Sequence, residues 1–390
     1  MCEYPELAPP KDTEAKAKGK RREAKDGTED VIGELIGQIV ERDQKNAATK
    51  QELRLVRAMY QELLARGAGQ SSLLAAICDQ IASRPAVPVP AAYDVGPVSD
   101  DNELELVLML GCWHIGEIVD AGETVGIGQY DLAIARARAL DIAQQAIRYR
   151  KERLGQYRVT KLHVVSLGDM MRGLINGVDA GTVRMVTQLT ELVDIMTEVM
   201  MMLAMSFERI EFTAVPGNHG LSTMQEVFKG KAKDNYDTLA AEMLRRILAQ
   251  QPNIRWHIPV SPFAEVRVGQ ATFLAMHGDS LKALKGLPQY GMREGYLRLR
   301  AMVDQTQRDA RTARNPADPY HLVTAHFHDP MFVHVAADNA LISVGSLVGG
   351  NELGINAVGD AKPPSQTLIS VSPQGHITDY WPLRPKEVGV

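Results

Sequence analysis

At 390 residues, with 45% apolar and 23% charged side chains and a formal net charge of -5, the chain has the make-up of one elaborated globular domain plus an appendage. That balance excludes a uniformly basic nucleic-acid-coating protein, though not a local basic groove. The apolar stretches are too short to span a bilayer, and three cysteines, Cys2, Cys78 and Cys112, are too few and scattered for a disulfide framework.

The N-terminus lacks a basic stretch followed by an apolar one, so a cytoplasmic chain with reduced thiols is expected. Residues 1–30 mix Lys16, Lys18, Lys20, Arg21, Arg22 and Lys25 with acidic residues and carry almost no large apolar side chains, the composition of a disordered tail. From 31 to 84, Ile32, Leu35, Ile36 and Ile39, and then Leu53, Val56, Met59, Tyr60 and Leu63, recur at helical spacing and predict a small helical module. A helix-turn-helix that grips DNA, or a docking surface for a replication or repair partner, would both suit such helices behind a basic tail. A Pro-rich linker follows over 85–100, and residues 101–390 form the main domain.

Within that domain the run Leu104 to Leu110 reads as a buried strand and Tyr130 to Leu154 as a long amphipathic helix. Further strands are predicted at Leu162 to Leu167, Ile210 to Val215, Thr272 to Met276 and Leu322 to Ala325. Helices are predicted around Val183 to Met205 and Thr238 to Gln250. This rhythm is that of an α/β sheet covered by helices. Beyond His328 come short strand-like pieces at Phe332 to Val335, Leu341 to Val344 and Thr367 to Val371.

Five segments place metal-competent side chains just after predicted strands: Gly111-Cys112-Trp113-His114, Gly168-Asp169, Gly217-Asn218-His219, His277-Gly278-Asp279 and His326-Phe327-His328. Ligands gather at the carboxyl ends of strands in open α/β sheets, so these segments can meet in one crevice. Two divalent cations need a bridging anionic oxygen, which Asp169 can supply, and imidazoles or an Asn218 carbonyl that hold each ion without cancelling its charge. Cations so held polarise a phosphoryl oxygen and acidify a water for in-line attack.

In order and content the five segments resemble the calcineurin-like metallophosphoesterase family, whose pattern runs D-x-H, G-D, G-N-H, H and G-H-x-H. The resemblance covers roughly residues 104 to 335. It implies a four-layer α-β-β-α sandwich and a centre of two divalent metal ions, manganese, zinc or iron. On that pattern Cys112, His114 and His328 hold one metal, Asn218, His277 and His326 hold the other, and Asp169 bridges them. His219 then stands beside the leaving-group oxygen as catalytic acid or hydrogen-bond donor. The chain departs from the pattern at Cys112, where the family has Asp, and at Ala325, where it has Gly. The opening Gly111 to Glu117 is similar to phage-encoded members, as are Gly345 to Gly349 and Pro363 to Gln366. The Trp-His-x-Gly stretch also looks like SbcD-type exonuclease subunits, which implies a nucleic-acid substrate and, for a phage protein, the host cytoplasm.

Plainer readings stand beside these. Asp169 would serve equally as a helix N-cap, and Cys112 as an inert buried thiol. Arg172 is a candidate phosphate contact or a surface helix residue. Lys229, Lys231 and Lys233 would line a substrate groove or a solvated face. Asp279 and Ser280 would order the metal site or simply make a turn. The Met-rich segment Met196 to Met205 reads as helix core. Three functions remain open: a nuclease, a phosphoesterase of small molecules such as monoesters or cyclic nucleotides, and a non-catalytic nucleic-acid-binding scaffold.

Overall fold

A computed structural model describes residues 102–174, 183–222, 230–283, 287–309, 318–336, 338–351 and 362–386. The expected tail, helical module and Pro-rich linker, and Lys229, lie outside the described residues.

The first sheet begins with β1 (Glu103–Leu110) and continues through β2 (Arg158–Ser166), β3 (Ile210–Ala214) and β4 (Ile254–His257), all parallel. The chain returns to it at its end, where β10 (Gln366–Val371) pairs antiparallel with β1 and β11 (Ile377–Leu383) pairs with β10. The order is therefore β11-β10-β1-β2-β3-β4. The second sheet runs β5-β6-β7-β9-β8. In it β6 (Ala271–Met276), β7 (Tyr320–Thr324) and β9 (Asn339–Ser343) are parallel, flanked by the antiparallel edges β5 (Phe263–Val268) and β8 (Met331–Ala336).

Strand alternation sorts the side chains into layers. Val107, Met109, Val165, Val215, Ile369 and Val371 of the first sheet meet Val266, Phe273, Ala275, Val323 and Ile342 of the second in one buried inter-sheet core. The intervening residues, Leu106, Leu108, Leu110, Val164 and Phe212, are buried as well. This explains why β1 and β2 read as nearly continuous apolar runs rather than as half-polar strands.

On the first sheet's outer side lie α1 (Leu132–Glu152), α2 (Met185–Ala204) and α3 (Tyr236–Ile247). Helix α1 is opened by Asp131, whose carboxylate accepts from the Ile134 N–H at 2.8 Å, and it ends on Arg150 and Lys151, which complement the helix dipole. Helix α2 buries Leu192, Met196, Val199, Met200 and Leu203, so the Met-rich segment is helix core. On the outer side of the second sheet, α4 (Pro288–Asp309) sets Met292 and Tyr296 against Leu274, Leu322 and Leu341.

Helix α4 and strands β4, β5 and β11 were not expected from the sequence. The strands are short or half-exposed. The packed face of α4 is a short apolar stripe, Met292, Tyr296 and Leu299, set beside glycines that admit the preceding loop: a Cβ at Gly291 would come within 1.8 Å of the Lys282 carbonyl oxygen and one at Gly295 within 2.3 Å of Leu281 Cδ2. No described helix is long and apolar enough to cross a membrane.

The inter-sheet layer makes a direct prediction. Ile369→Ala, at a fully buried position facing the second sheet, should destabilise the protein by about 2–5 kcal/mol. Val260→Ala, at a position 76% exposed, should stay within about 0.5 kcal/mol. Equal denaturant midpoints for the two variants would contradict the assigned layers.

Candidate metal centre

All five segments singled out from the sequence leave the carboxyl ends of parallel strands, three in the first sheet and two in the second. Backbone hydrogen bonds extend the sheets beyond those strands and fix the loops. Leu167 N–H donates to Leu110 O at 2.7 Å, Cys112 N–H to Gly168 O at 3.0 Å and His114 N–H to Asp169 O at 3.0 Å. In the second sheet Ala325 N–H donates to His277 O at 2.8 Å.

The loops are bent to a common purpose. Among described residues, six non-glycine positions have positive φ, and five of them are Cys112 (51°), His114 (46°), Asp169 (53°), His326 (67°) and His328 (55°). Left-handed backbone costs a non-glycine residue on the order of 1–3 kcal/mol and survives only where the surroundings over-determine it. Its concentration in these five residues is what a shared side-chain target requires. Close backbone approach adds to it: Gly168 has a φ of 82°, and a Cβ there would lie 2.2 Å from the Gly217 nitrogen. Asp169 caps no helix; its own N–H instead donates to Asp237.

Two tautomers follow from the contacts. His277 Nδ1 lies 2.7 Å from the Leu167 carbonyl, which can only accept, so Nδ1 carries the proton. Its Nε2 then faces Asp169 Oδ2 at 2.8 Å and Asn218 Oδ1 at 3.0 Å. His219 likewise donates from Nδ1 to the Arg172 carbonyl at 2.7 Å, and its backbone N–H donates to Asp169 Oδ1 at 2.7 Å. His114 Nε2 and His328 Nε2 lie 3.0 Å apart, and buried His114 Nδ1 has no hydrogen-bond partner among the described residues. The His326 ring meets that of His277 edge to face at 5.1 Å.

Three sets of potential ligand atoms fall within 4.8 Å of one another: Cys112, His114 and His328; Cys112, Asp169 and His277; and His114, Asp169 and His219. They share members, so they form one continuous cluster of lone pairs. That donor set fits divalent cations, with imidazole and thiolate at one end and carboxylate, amide oxygen and imidazole at the other.

Electrostatics keep His114, His326, His328 and Asp169 in ligand form and shift His277 and Cys112 the other way. Burial, reinforced by the neighbouring rings of His219 and His328, holds His114 well below the usual imidazole value, and burial lowers His326 and His328 to about 4. Burial pushes Asp169 upward, but His277 beside it and then His219 and His114 outweigh this and hold it well below the usual carboxylate range. His277 is pushed down by burial and raised above its usual value by Asp169. The Cys112 thiol is raised by burial and then by the charge of Asp169.

Of the remaining candidates, Arg172 is buried, with Nε 2.5 Å from Glu117 Oε2. Lys231 is buried in an ion pair with Asp279, and Lys233 is exposed. His163, outside the cluster, pairs with Glu105 at 2.6 Å.

One anchor escaped the sequence reading. Buried Asp237, in the first turn of α3, accepts the backbone N–H groups of Asp169 at 2.9 Å, Met170 at 3.0 Å and Gly217 at 2.9 Å. Asn235, the N-cap, holds the Asp237 N–H through Oδ1 and donates from Nδ2 to the Gly217 carbonyl, each at 2.9 Å. Glycine at 220 makes room for both, since a Cβ there would lie 2.3 Å from Asn235 Oδ1 and 2.7 Å from Asp237 Oδ2. An Asn-x-Asp opening a helix is the only local signal, and it reads as ordinary capping. Gln366 plays a comparable part for the first loop: its Oε1 accepts from Gly111 N–H at 2.8 Å and Trp113 Nε1–H at 3.0 Å.

No family model and no curated protein sequence matches the chain. Solved structures overlap it at low similarity. Vps29 from Chaetomium thermophilum is 13% identical with a TM-score of 0.26, covering 72% of this chain and 99% of that one. A dimetal phosphatase from Danio rerio is 10% identical with a TM-score of 0.30, over 72% and 99%. Phosphopantetheinyl hydrolase from Mycobacterium tuberculosis is 12% identical with a TM-score of 0.26, over 62% and 90%. Overlaps of this size carry no argument, and the site stands on its own geometry.

Two measurements test that geometry. Asp237→Asn replaces an acceptor by a donor facing backbone N–H groups and should cost about 1–3 kcal/mol per N–H left unsatisfied; an unchanged denaturation midpoint would contradict the anchor. In chelator-treated protein, His321, His326 and His328 have folded values of about 4 against an ordinary 6.5. Below about pH 6.5 the unfolded chain binds protons that these folded rings refuse, so their stabilising contribution falls as pH drops toward 4. His277, raised, acts in the opposite sense, its contribution fading above its folded value. The three rings outweigh the one, and the melting temperature should fall between about pH 6.5 and 4. A flat profile there would mean the rings titrate normally.

Proposed function

We propose that this chain is a divalent-metal-dependent phosphoesterase of the calcineurin-like type, with the four-layer architecture that type implies, and that it hydrolyses phosphodiester bonds. The observation that carries the reading is the convergence of Cys112, His114, Asp169, Asn218, His277 and His328 on one cluster, with Cys112, His114, Asp169 and His328 held there on left-handed backbone. In this reading Cys112, His114 and His328 hold one cation, Asn218, His277 and His326 hold the other, and Asp169 lies between them. When bound, two such cations supply Lewis-acid polarisation of a phosphoryl oxygen and acidification of a water.

The chain's own residues do the rest. Asp169 is kept ionised by its imidazole neighbours and is oriented by the His219 N–H on Oδ1. The His219 ring is fixed through an Nδ1–H donated to the Arg172 carbonyl, so a second proton, when the ring takes one up, sits on Nε2 and is the one given to a leaving-group oxygen. His277 is locked in one tautomer by the Leu167 carbonyl, which keeps its lone pair on the cluster.

A phosphodiester rather than a monoester is favoured by charge. A monoester carries a second negative charge that needs a further cation, yet Arg172 is already matched by Glu117 and Lys231 by Asp279. Nucleic acid is our leading substrate, on the likeness of the Trp113 to Gly116 stretch to exonuclease subunits. Exposed Lys233, in the lysine run after Gly217-Asn218-His219, is our candidate contact for a polyanionic backbone. A partner docking through residues 31–84 and residence in a host cytoplasm complete the proposal.

Single-stranded DNA, duplex DNA, RNA, cyclic nucleotides and p-nitrophenyl mono- and diesters, each assayed with Mn²⁺, Zn²⁺ and Fe²⁺, test it. Turnover of a nucleic acid or a diester is expected. His219→Ala should lower that rate about 10²–10⁴-fold while the protein stays folded, and Asp169→Asn should abolish it. Hydrolysis confined to the monoester would defeat the diester reading, and nucleic-acid binding without any turnover would identify a scaffold.

A further inference from the structure

Within that reading, which it presupposes, the residue that breaks the family pattern has a definite chemical role. We propose that Cys112 is a thiolate ligand, and that with His114 and His328 it makes the first cation position selective for a thiophilic ion, Zn²⁺ or Fe²⁺, over Mn²⁺ or Mg²⁺.

Position is the first argument. The Cys112 sulfur belongs to two of the three candidate sets, lying within 4.8 Å of ligand atoms of His114 and His328 and, separately, of Asp169 and His277. Among the described residues no other joins both ends of the cluster through a soft donor. Backbone is the second. Cys112 has a φ of 51°, and its peptide groups are pinned from both sides: its N–H donates to Gly168 O, while its carbonyl accepts from Ser346 Oγ at 2.9 Å and Leu347 N–H at 3.1 Å. A thiol serving only as core filler needs no left-handed backbone, whereas a ligand must be aimed.

Support for the sulfur is the third. The His326 N–H points at Sγ from 3.2 Å, the kind of donor that stabilises a ligating sulfur. Because His326 is itself proposed to hold the second cation, this contact links the two positions across the two sheets. Finally, the donor sets differ. Thiolate with two imidazoles suits zinc or iron, while carboxylate and amide oxygen with two imidazoles is harder and accepts manganese. The resulting centre is asymmetric by construction.

The competing role is clear from the same contacts, since Cys112 also touches the inter-sheet apolar core. Cobalt titration of the chelator-stripped full-length protein separates the two. We expect two bound Co²⁺ per chain, with a sulfur-to-cobalt charge-transfer band in the near ultraviolet that saturates at one. Cys112→Ser should lose the band while Cys2 and Cys78 remain. Cys112→Asp should bind two ions without the band and move the Zn²⁺ to Mn²⁺ affinity ratio toward Mn²⁺ by at least about 10-fold, the size of effect that disturbing one metal contact produces. Asp tolerates left-handed backbone, so this variant keeps the loop.

Two cobalt ions without the band in the wild type would overturn the thiolate and leave the di-metal reading standing. A band that survives in Cys112→Ser would assign it to another cysteine and overturn the proposal. Absence of bound cobalt in the wild type would overturn the di-metal reading and this inference together. Should both variants fail to fold, X-ray absorption on the zinc-loaded wild type decides alone: a sulfur neighbour at about 2.3 Å supports the proposal, and its absence overturns it.

Discussion

The His277 imidazole is the crosspiece of this molecule. It is carried by the second sheet, yet its Nδ1–H is given to the carbonyl of Leu167 in the first, at 2.7 Å, and its Nε2 faces Asp169 and Asn218 of the first sheet too. A single ring thus fixes how the carboxyl ends of the two sheets face each other. Everything else at the site adapts to that closure. His114 meets His328, and the His326 N–H meets the Cys112 sulfur, across the same gap. The apolar layer beneath, from Val107 and Val165 to Phe273 and Val323, provides the adhesion that holds the ring in place.

Holding so many acceptors together requires compensation, and the structure provides it below the ligands. Asp237 gathers three backbone N–H groups from the two loops that carry Asp169 and Asn218, so the spacing of those loops is set by one carboxylate. That carboxylate is itself raised by burial and by Asp169, and the N–H groups are what partly offset this. The arrangement is a lone-pair-rich shell without matching protons, supported from behind by donors that face away from it. Such a shell is stable when positive charge enters it.

The fold was legible where burial is two-sided. Strands β1, β2, β3, β6, β7 and β10 are largely buried on both faces, and the candidate ligand segments follow β1, β2, β3, β6 and β7 directly, so glycines and metal-competent residues announced the site. What stayed hidden depends on contacts far apart in sequence. Helix α4 packs through Met292, Tyr296 and Leu299, a short stripe set among Gly291, Gly295 and charged residues that weaken the helical signal. Asp237 looks like a helix-capping neighbour until its partners at Asp169 and Gly217 are known. The buried pairs of Arg172 with Glu117 and of Lys231 with Asp279 were equally invisible, because a charge in sequence does not reveal its counterion.

The first ligand loop also depends on the end of the chain. Gln366, on β10, spends both ends of its amide on that region, accepting from Gly111 and Trp113 and donating to the carbonyls of Gly111, Gly345 and Ser365. Ser346 and Leu347 hold the Cys112 carbonyl, and Arg138 of α1 in turn holds the carbonyls of Leu347 and Val348 at 2.9 and 2.7 Å. Residues separated by more than 200 positions therefore shape the backbone of Gly111 and Cys112. Contacts of that separation form late, since the loop they close must first be ordered. The parallel core of the first sheet can assemble from β1, β2 and β3 alone, but the left-handed turn at Cys112 needs β10 in place. The geometry of this side-chain cluster is then a property of the completed domain rather than of any one strand and its loop.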